Sequence, residues 1–130
     1  MTRSAISTHA APAALGPYSQ AITAGDFVFC AGQGSIDPAT NEVLNGTIED
    51  ETKRTLGNVG AILDAAGVGF ADVVKTTVFL ADLGDFAAMN AVYATYFPDP
   101  PPARSTVEVA ALPKGFKVEI EVVAYKPQVG

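Results

Sequence analysis

The sequence predicts one α/β-type domain in which a single β-sheet carries two helices on one face. Three observations predict it. Apolar residues recur at helical spacing in residues 49–66 and 85–97. They alternate at strand spacing toward the C-terminus, and β-branched and apolar residues fill most of residues 73–80. With 48% hydrophobic and 17% charged residues, the 130-residue chain has enough apolar surface to offset chain entropy, which excludes intrinsic disorder. No repeat, charge block or linker divides it, so residues 1–130 read as one domain, with residues 1–15 less ordered.

In chain order, residues 19–23 and 27–31 read as short strands around Ala24-Gly25-Asp26, a hairpin turn. Asp37-Pro38 through Gly46 is rich in turn formers. Residues 49–66 form a helix: Leu56, Val59, Ile62, Leu63 and Ala66 fall at three-and-four spacing, and Gly67 stands where a C-terminal cap belongs. Residues 73–80 make an interior strand. Residues 85–97 make a second helix, its stripe of Phe86, Met89, Val92, Tyr93, Tyr96 and Phe97 reading as core. Pro98-Asp99-Pro100-Pro101-Pro102 is a stiff connector, because consecutive prolines fix φ and favour extended backbone.

The last two strands alternate. In residues 104–110, Ser105, Val107 and Val109 point one way and Arg104, Thr106 and Glu108 the other. In residues 116–125, Phe116, Val118, Ile120 and Val122 share one face, opposite Lys117, Glu119 and Glu121. Two helices can cover only one side of such a sheet. The pattern therefore assigns Arg104, Thr106, Glu119 and Glu121, with apolar neighbours such as Val123, to an uncovered face. A partly apolar face in water is a liability, so copies of the same chain are expected to cover it.

Charge and residue counts exclude several functions. Fourteen acidic against eight basic residues give a net charge of -6, which counts against a nucleic-acid binder needing a concentrated basic face. Cys30 and His9 are each the only residue of their type, which argues against a disulfide framework, a metal centre and a Ser-His-Asp triad. No run approaches the ~18 apolar residues of a membrane span, and residues 1–16 lack the continuous apolar core of a secretory signal. A soluble, reducing, cytoplasmic setting is the expectation. Gly32-Gln33-Gly34 and Gly67-Val68-Gly69 do not complete a dinucleotide fingerprint and read as turns or caps. In that setting Asn45-Gly46-Thr47 is a turn rather than a glycosylation site.

The polar candidates each carry two readings. Glu119 and Glu121 are either a carboxylate pair for proton transfer or a solvated strand edge. Arg104 is either a surface ion-pair partner, worth at most ~1 kcal/mol, or a bidentate clamp for a carboxylate or phosphate. The stiff segment before it favours the clamp, since preorganisation lowers the entropic cost of binding. Tyr18, after Gly16-Pro17, is a packed aromatic or a hydroxyl presented by a rigid turn. Cys30 reads as a small buried hydrophobe.

A series of blocks then resembles one family. Gly16-Pro17-Tyr18-Ser19-Gln20-Ala21, Gly32-Gln33, Asp37-Pro38, Asn58, Ala66-Gly67 and Val74-Lys75-Thr76-Thr77-Val78-Phe79-Leu80 follow in order. Asp85-Phe86-Ala87, Asn90-Ala91-Val92-Tyr93, Pro102-Ala103-Arg104-Ser105, Leu112-Pro113-Lys114 and Val118-Glu119-Ile120-Glu121 complete the set. From about residue 16 to residue 125 the chain resembles the RidA (YjgF) family of reactive enamine/imine deaminases.

The resemblance implies a chorismate-mutase-like α+β fold, a mixed sheet with two helices packed on one face, assembled as a homotrimer with clefts between subunits. It implies hydrolysis of 2-imino acids such as 2-iminobutanoate and 2-iminopropanoate to 2-oxo acids and ammonia, without metal or cofactor. Arg104 would pair with the substrate carboxylate, and Glu119 would hold or activate the attacking water, kept ionised by the guanidinium. Tyr18, the third catalytic residue, would wall the cleft and hydrogen-bond the water or the nitrogen, with Ala31, Gly32, Asn90 and Thr106 lining the pocket. Ala31 stands where many members have Ser, and Thr106 where many have Cys. Two other readings use the same cleft: a non-catalytic module, either binding small carboxylates or acting as a regulatory or chaperone-like partner, and a deaminase with another substrate.

Overall fold

A computed structural model describes residues 3–127. Its strands are β1 (Arg3–Ile6), β2 (Ala21–Ala24), β3 (Phe27–Gln33), β4 (Val73–Leu80), β5 (Ala103–Glu108) and β6 (Val118–Tyr125). The helices are α1 (Ile48–Ala65), between β3 and β4, and α2 (Phe86–Tyr93), between β4 and β5. The six strands form one mixed sheet in the order β1-β2-β3-β6-β4-β5, with only β4 and β5 paired in parallel. This is an α+β fold, as expected. Strand β1 is an addition: it lies within residues 1–15, where the sequence pattern places no element, and its exposed residues pair with β2 as a sheet edge.

Local chemistry fixes the ends of α1. Thr47 caps it, its Oγ1 accepting from the Asp50 N–H at 3.1 Å, and Glu49, Asp50 and Glu51 place negative charge on the positive end of the helix dipole. At the other end Gly67 takes φ +82° and donates its N–H to the Asp64 carbonyl, while the Val68 N–H reaches the Leu63 carbonyl. That pair of bonds is a Schellman motif, and the positive φ is why glycine sits there. Helix α2 is shorter than its apolar stripe suggests. After Tyr93 the chain tightens into three-residue turns, Thr95 N–H to Val92 and Tyr96 N–H to Tyr93, before Pro98.

The core lies between the helices and one sheet face. Leu56, Val59, Ile62 and Leu63 of α1, with Met89 of α2, pack on Val28, Val78, Leu80, Val118 and Ile120. The other face carries Lys75, Thr77 and Phe79 of β4 with Glu119, Glu121 and Val123 of β6. It continues into exposed Phe27, Phe29 and Tyr125, whose rings cluster with centroids 5.6 and 6.4 Å apart.

Strand β5 corrects one expectation. Arg104 pairs with Thr76 and Thr106 with Val78 across the parallel ladder, and both β4 partners are buried beneath the helices. Arg104 and Thr106 therefore face the helix layer, and Ser105 and Val107 take the uncovered side. The reason is local. Strand β5 is the sheet edge beside α2, and aromatic rings there receive the arginine, so Arg104 and Thr106 point inward and Val107 is left 43% exposed.

Candidate functional site

Two polar clusters form, one on each side of the sheet. The first is built by β5 and α2. The Arg104 guanidinium carbon lies 4.7 Å from the centre of the Tyr93 ring and 5.5 Å from that of Phe86. Among the described residues the ion pair found is Lys117–Glu51, so the Arg104 charge rests on aromatic faces instead of a carboxylate. Beside it a cavity of about 560 Å³ is lined by Asn90, Phe97, Asp99 and Pro102. Asn90 Oδ1 and Thr106 Oγ1 are buried and have no hydrogen-bond partner among the described residues. Buried polar atoms left unpaired cost free energy, so such atoms beside an arginine suit a polar ligand.

The second cluster surrounds Glu119, and a β-bulge shapes it. Cys30 pairs with Val122 but Gln33 with Ile120, so Ala31 and Gly32 together stand opposite Glu121. The bulge brings the Gly32 backbone beneath the Glu119 side chain. A Cβ on Gly32 would stand 2.6 Å from Glu119 Oε2, so any side chain there would push the carboxylate aside. A cavity of about 150 Å³ is lined by Glu119 together with Tyr18, Gly32, Lys114 and Phe116. Tyr18 is 55% exposed, presented by a tight turn in which its N–H donates to the Gly16 carbonyl across Pro17.

The cavity wall is tied down from below. The buried Glu51 carboxylate accepts from the Lys117 N–H at 2.9 Å and the Gly46 N–H at 3.2 Å, and meets Lys117 Nζ at 3.4 Å. Phe116 in turn fills the space that a side chain on Gly34 would need. Burial pushes the Glu119 carboxyl above its ordinary pKa, and the like charge of Glu121 adds to the shift. The expectation that Arg104 holds Glu119 ionised is not met within one chain.

The structure thus gathers Tyr18, Gly32 and Glu119 in one place, with Ala31 beside them in the bulge, and Arg104 and Asn90 in another, with Thr106 on the same side of β5. It does not unite the two sets within a chain. Phe79 of β4 is Glu119's lateral partner on the uncovered face, whereas Thr76, Arg104's partner, is buried on the helix face. Sequence reasoning missed Tyr93 and Phe86 as partners of Arg104, because aromatic residues on an apolar helix stripe read as core. Their seven-residue spacing, two turns on one helix face, was the available signal. Among the described residues no three His, Cys, Asp or Glu side chains cluster as metal ligands would. Chemically, one cluster can receive a carboxylate and the other can accept and return a proton.

Known proteins resemble the chain along nearly its whole length. The family model described as endoribonuclease L-PSP matches residues 8–126. A RutC family protein of Pyrococcus horikoshii is 55% identical, the match covering 93% of this chain and 96% of that one. The 2-iminobutanoate/2-iminopropanoate deaminase of Capra hircus is 50% identical, covering 95% and 90%. The crystal structure of the YjgF gene product from E. coli superimposes with a TM-score of 0.89 at 46% identity, covering 94% and 98%.

Proposed function

The chain belongs to the RidA (YjgF) family, and from that premise we propose that it hydrolyses small 2-imino acids at a site completed between two copies of itself. The observation that carries this is complementarity. One cavity holds Arg104 and the unpaired Asn90 without Glu119, and the other holds Glu119 and Tyr18 without Arg104. A head-to-tail contact that sets the Arg104 side of one copy against the Glu119 side of the next would supply both. Repeated contacts of that kind close into a ring, and a homotrimer is the proposed ring. The exposed Phe27, Phe29, Val107 and Tyr125 give the uncovered face reason to be covered.

The chemistry then assigns roles. Arg104 takes the substrate carboxylate in a charge-assisted contact worth about 1.5–3 kcal/mol. Asn90 Oδ1 accepts an iminium N–H. Glu119 takes a proton from a water as its oxygen bonds to C2 and the C=N electron pair moves to nitrogen. Returned to that nitrogen, the proton makes it a leaving group. As the C–N bond breaks, Glu119 takes the hydroxyl proton and C=O forms, giving the 2-oxo acid and ammonia, which carries that proton away as ammonium. A carboxyl with a raised pKa is suited to carrying a proton both ways. Tyr18 walls the cleft, with Ala31, Gly32 and Thr106 as lining. An iminium carbon is electrophilic without assistance, so the reaction calls for no cofactor.

The test couples a threonine dehydratase to this protein and follows 2-oxobutanoate. Faster appearance than in buffer is expected; an unchanged rate sinks the proposal.

A further inference from the structure

The ring beneath the guanidinium does more than fill the layer between helix and sheet: we infer that Tyr93 is a positioning residue that sets the direction of Arg104. What Arg104 binds rests on the deaminase reading above; the positioning itself rests on geometry. Arg104 and Thr76 are lateral partners across β5 and β4. The Tyr93 hydroxyl shares a 2.7 Å hydrogen bond with Thr76 Oγ1, and both residues are buried. The phenol is therefore tied to the strand position next to the arginine whose guanidinium carbon lies 4.7 Å from its ring centre. Ring, hydroxyl and strand pairing close a triangle. Within it the ring cannot slide along α2, and the guanidinium cannot swing without leaving the ring face.

The rest of the aromatic column backs the ring. Phe97 lies 4.4 Å from Tyr93, Phe70 stands edge-on to Phe97 at 5.3 Å, and Phe86 bounds Arg104 at 5.5 Å. Burial pushes the Tyr93 phenol above its ordinary pKa, against the pull of the Thr76 hydrogen bond and the Arg104 charge, so the ring stays neutral. This matters for recognition. A carboxylate partner would neutralise the guanidinium fork, whereas a neutral phenol orients it and leaves its charge available to an incoming acid.

The experiment measures 2-oxobutanoate binding to the whole protein by calorimetry, with Y93F, Y93L, R104K and the Y93L/R104K pair. Y93F keeps the ring and should stay within about threefold of the wild-type Kd, while Y93L should weaken binding about tenfold. R104K should cost affinity in the wild type but little further in the Y93L background, because both substitutions remove the same oriented fork. Unchanged binding by Y93L, or two effects that simply multiply, would overturn the inference. A ligand-free readout accompanies it: the order of the Arg104 Nε–H group by NMR should be high in wild type and Y93F and fall in Y93L. Equal order in all three is equally fatal. If the wild type neither binds 2-oxobutanoate nor turns over imine, the deaminase reading falls and the NMR comparison alone decides the role of Tyr93. If Y93L does not fold, Y93M carries the same comparisons.

Discussion

Glu119 lies over Gly32 so closely that the missing side chain of the glycine is the space its carboxylate occupies, with Oε2 2.6 Å from where a Cβ would stand. Gly32→Ala should therefore displace the carboxylate without touching the core. Misplacing a catalytic group by a fraction of an ångström to one ångström costs about a hundredfold in rate. Steady-state hydrolysis of 2-iminobutanoate should show a loss of that order, with oligomer mass and urea midpoint close to wild type.

If each site draws on two copies, two inactive variants should repair one another. Arg104→Ala lacks the anion receptor and Glu119→Gln lacks the base. Mixed in equal amounts under conditions that exchange subunits, they should recover about one quarter of wild-type activity, the fraction of contacts with both intact groups in a ring of like interfaces. No recovery after demonstrated exchange would place the site within a single chain. Light scattering of the wild type should give three times the 13.4 kDa chain mass.

The raised pKa of Glu119 has a kinetic signature. Burial is its main cause and the Glu121 charge the second, and both favour the protonated form. A base is active only when ionised, so kcat should fall as pH drops, and the midpoint of that fall should lie above the ordinary carboxylate range. Glu121→Gln removes the repelling charge, stabilises ionised Glu119, and should move the midpoint to lower pH. A pH–rate profile of both proteins checks this; a shift to higher pH would contradict it.

Thr47 tests the fold independently of the chemistry. Thr47→Ala removes the acceptor for the Asp50 N–H and should cost about 1 kcal/mol in a urea titration. Because Glu51, one turn away, fixes the Gly46 and Lys117 backbones, the loss should fall on stability while the kinetics stay near wild type.

The sequence made some of this legible and concealed the rest for physical reasons. Helix α1 was readable because Leu56, Val59, Ile62 and Leu63 keep one spacing and Gly67 ends it. Strand β6 was readable because a two-residue period separates Val118, Ile120 and Val122 from Glu119 and Glu121. The same period in β5 divides its residues into two sets without saying which set faces inward, and there the set holding Val107 faces out. Strand β1 is four mostly exposed residues with no alternation to detect. Arg104 and Glu119 stood out as charged residues on strands. Their separation did not, since it depends on β5 lying beyond β4 from β6 and on a bulge at Ala31-Gly32 that no local pattern marks.

If Arg104 is the receptor and Glu119 the base, their place on opposite sides of one sheet makes turnover a collective property. An isolated molecule would hold two incomplete halves and do nothing with either. Specific activity should then decline on dilution, following dissociation of the particle more closely than unfolding of its members. Agents that loosen the seam between neighbours would silence the catalyst while every polypeptide in the tube kept its native shape.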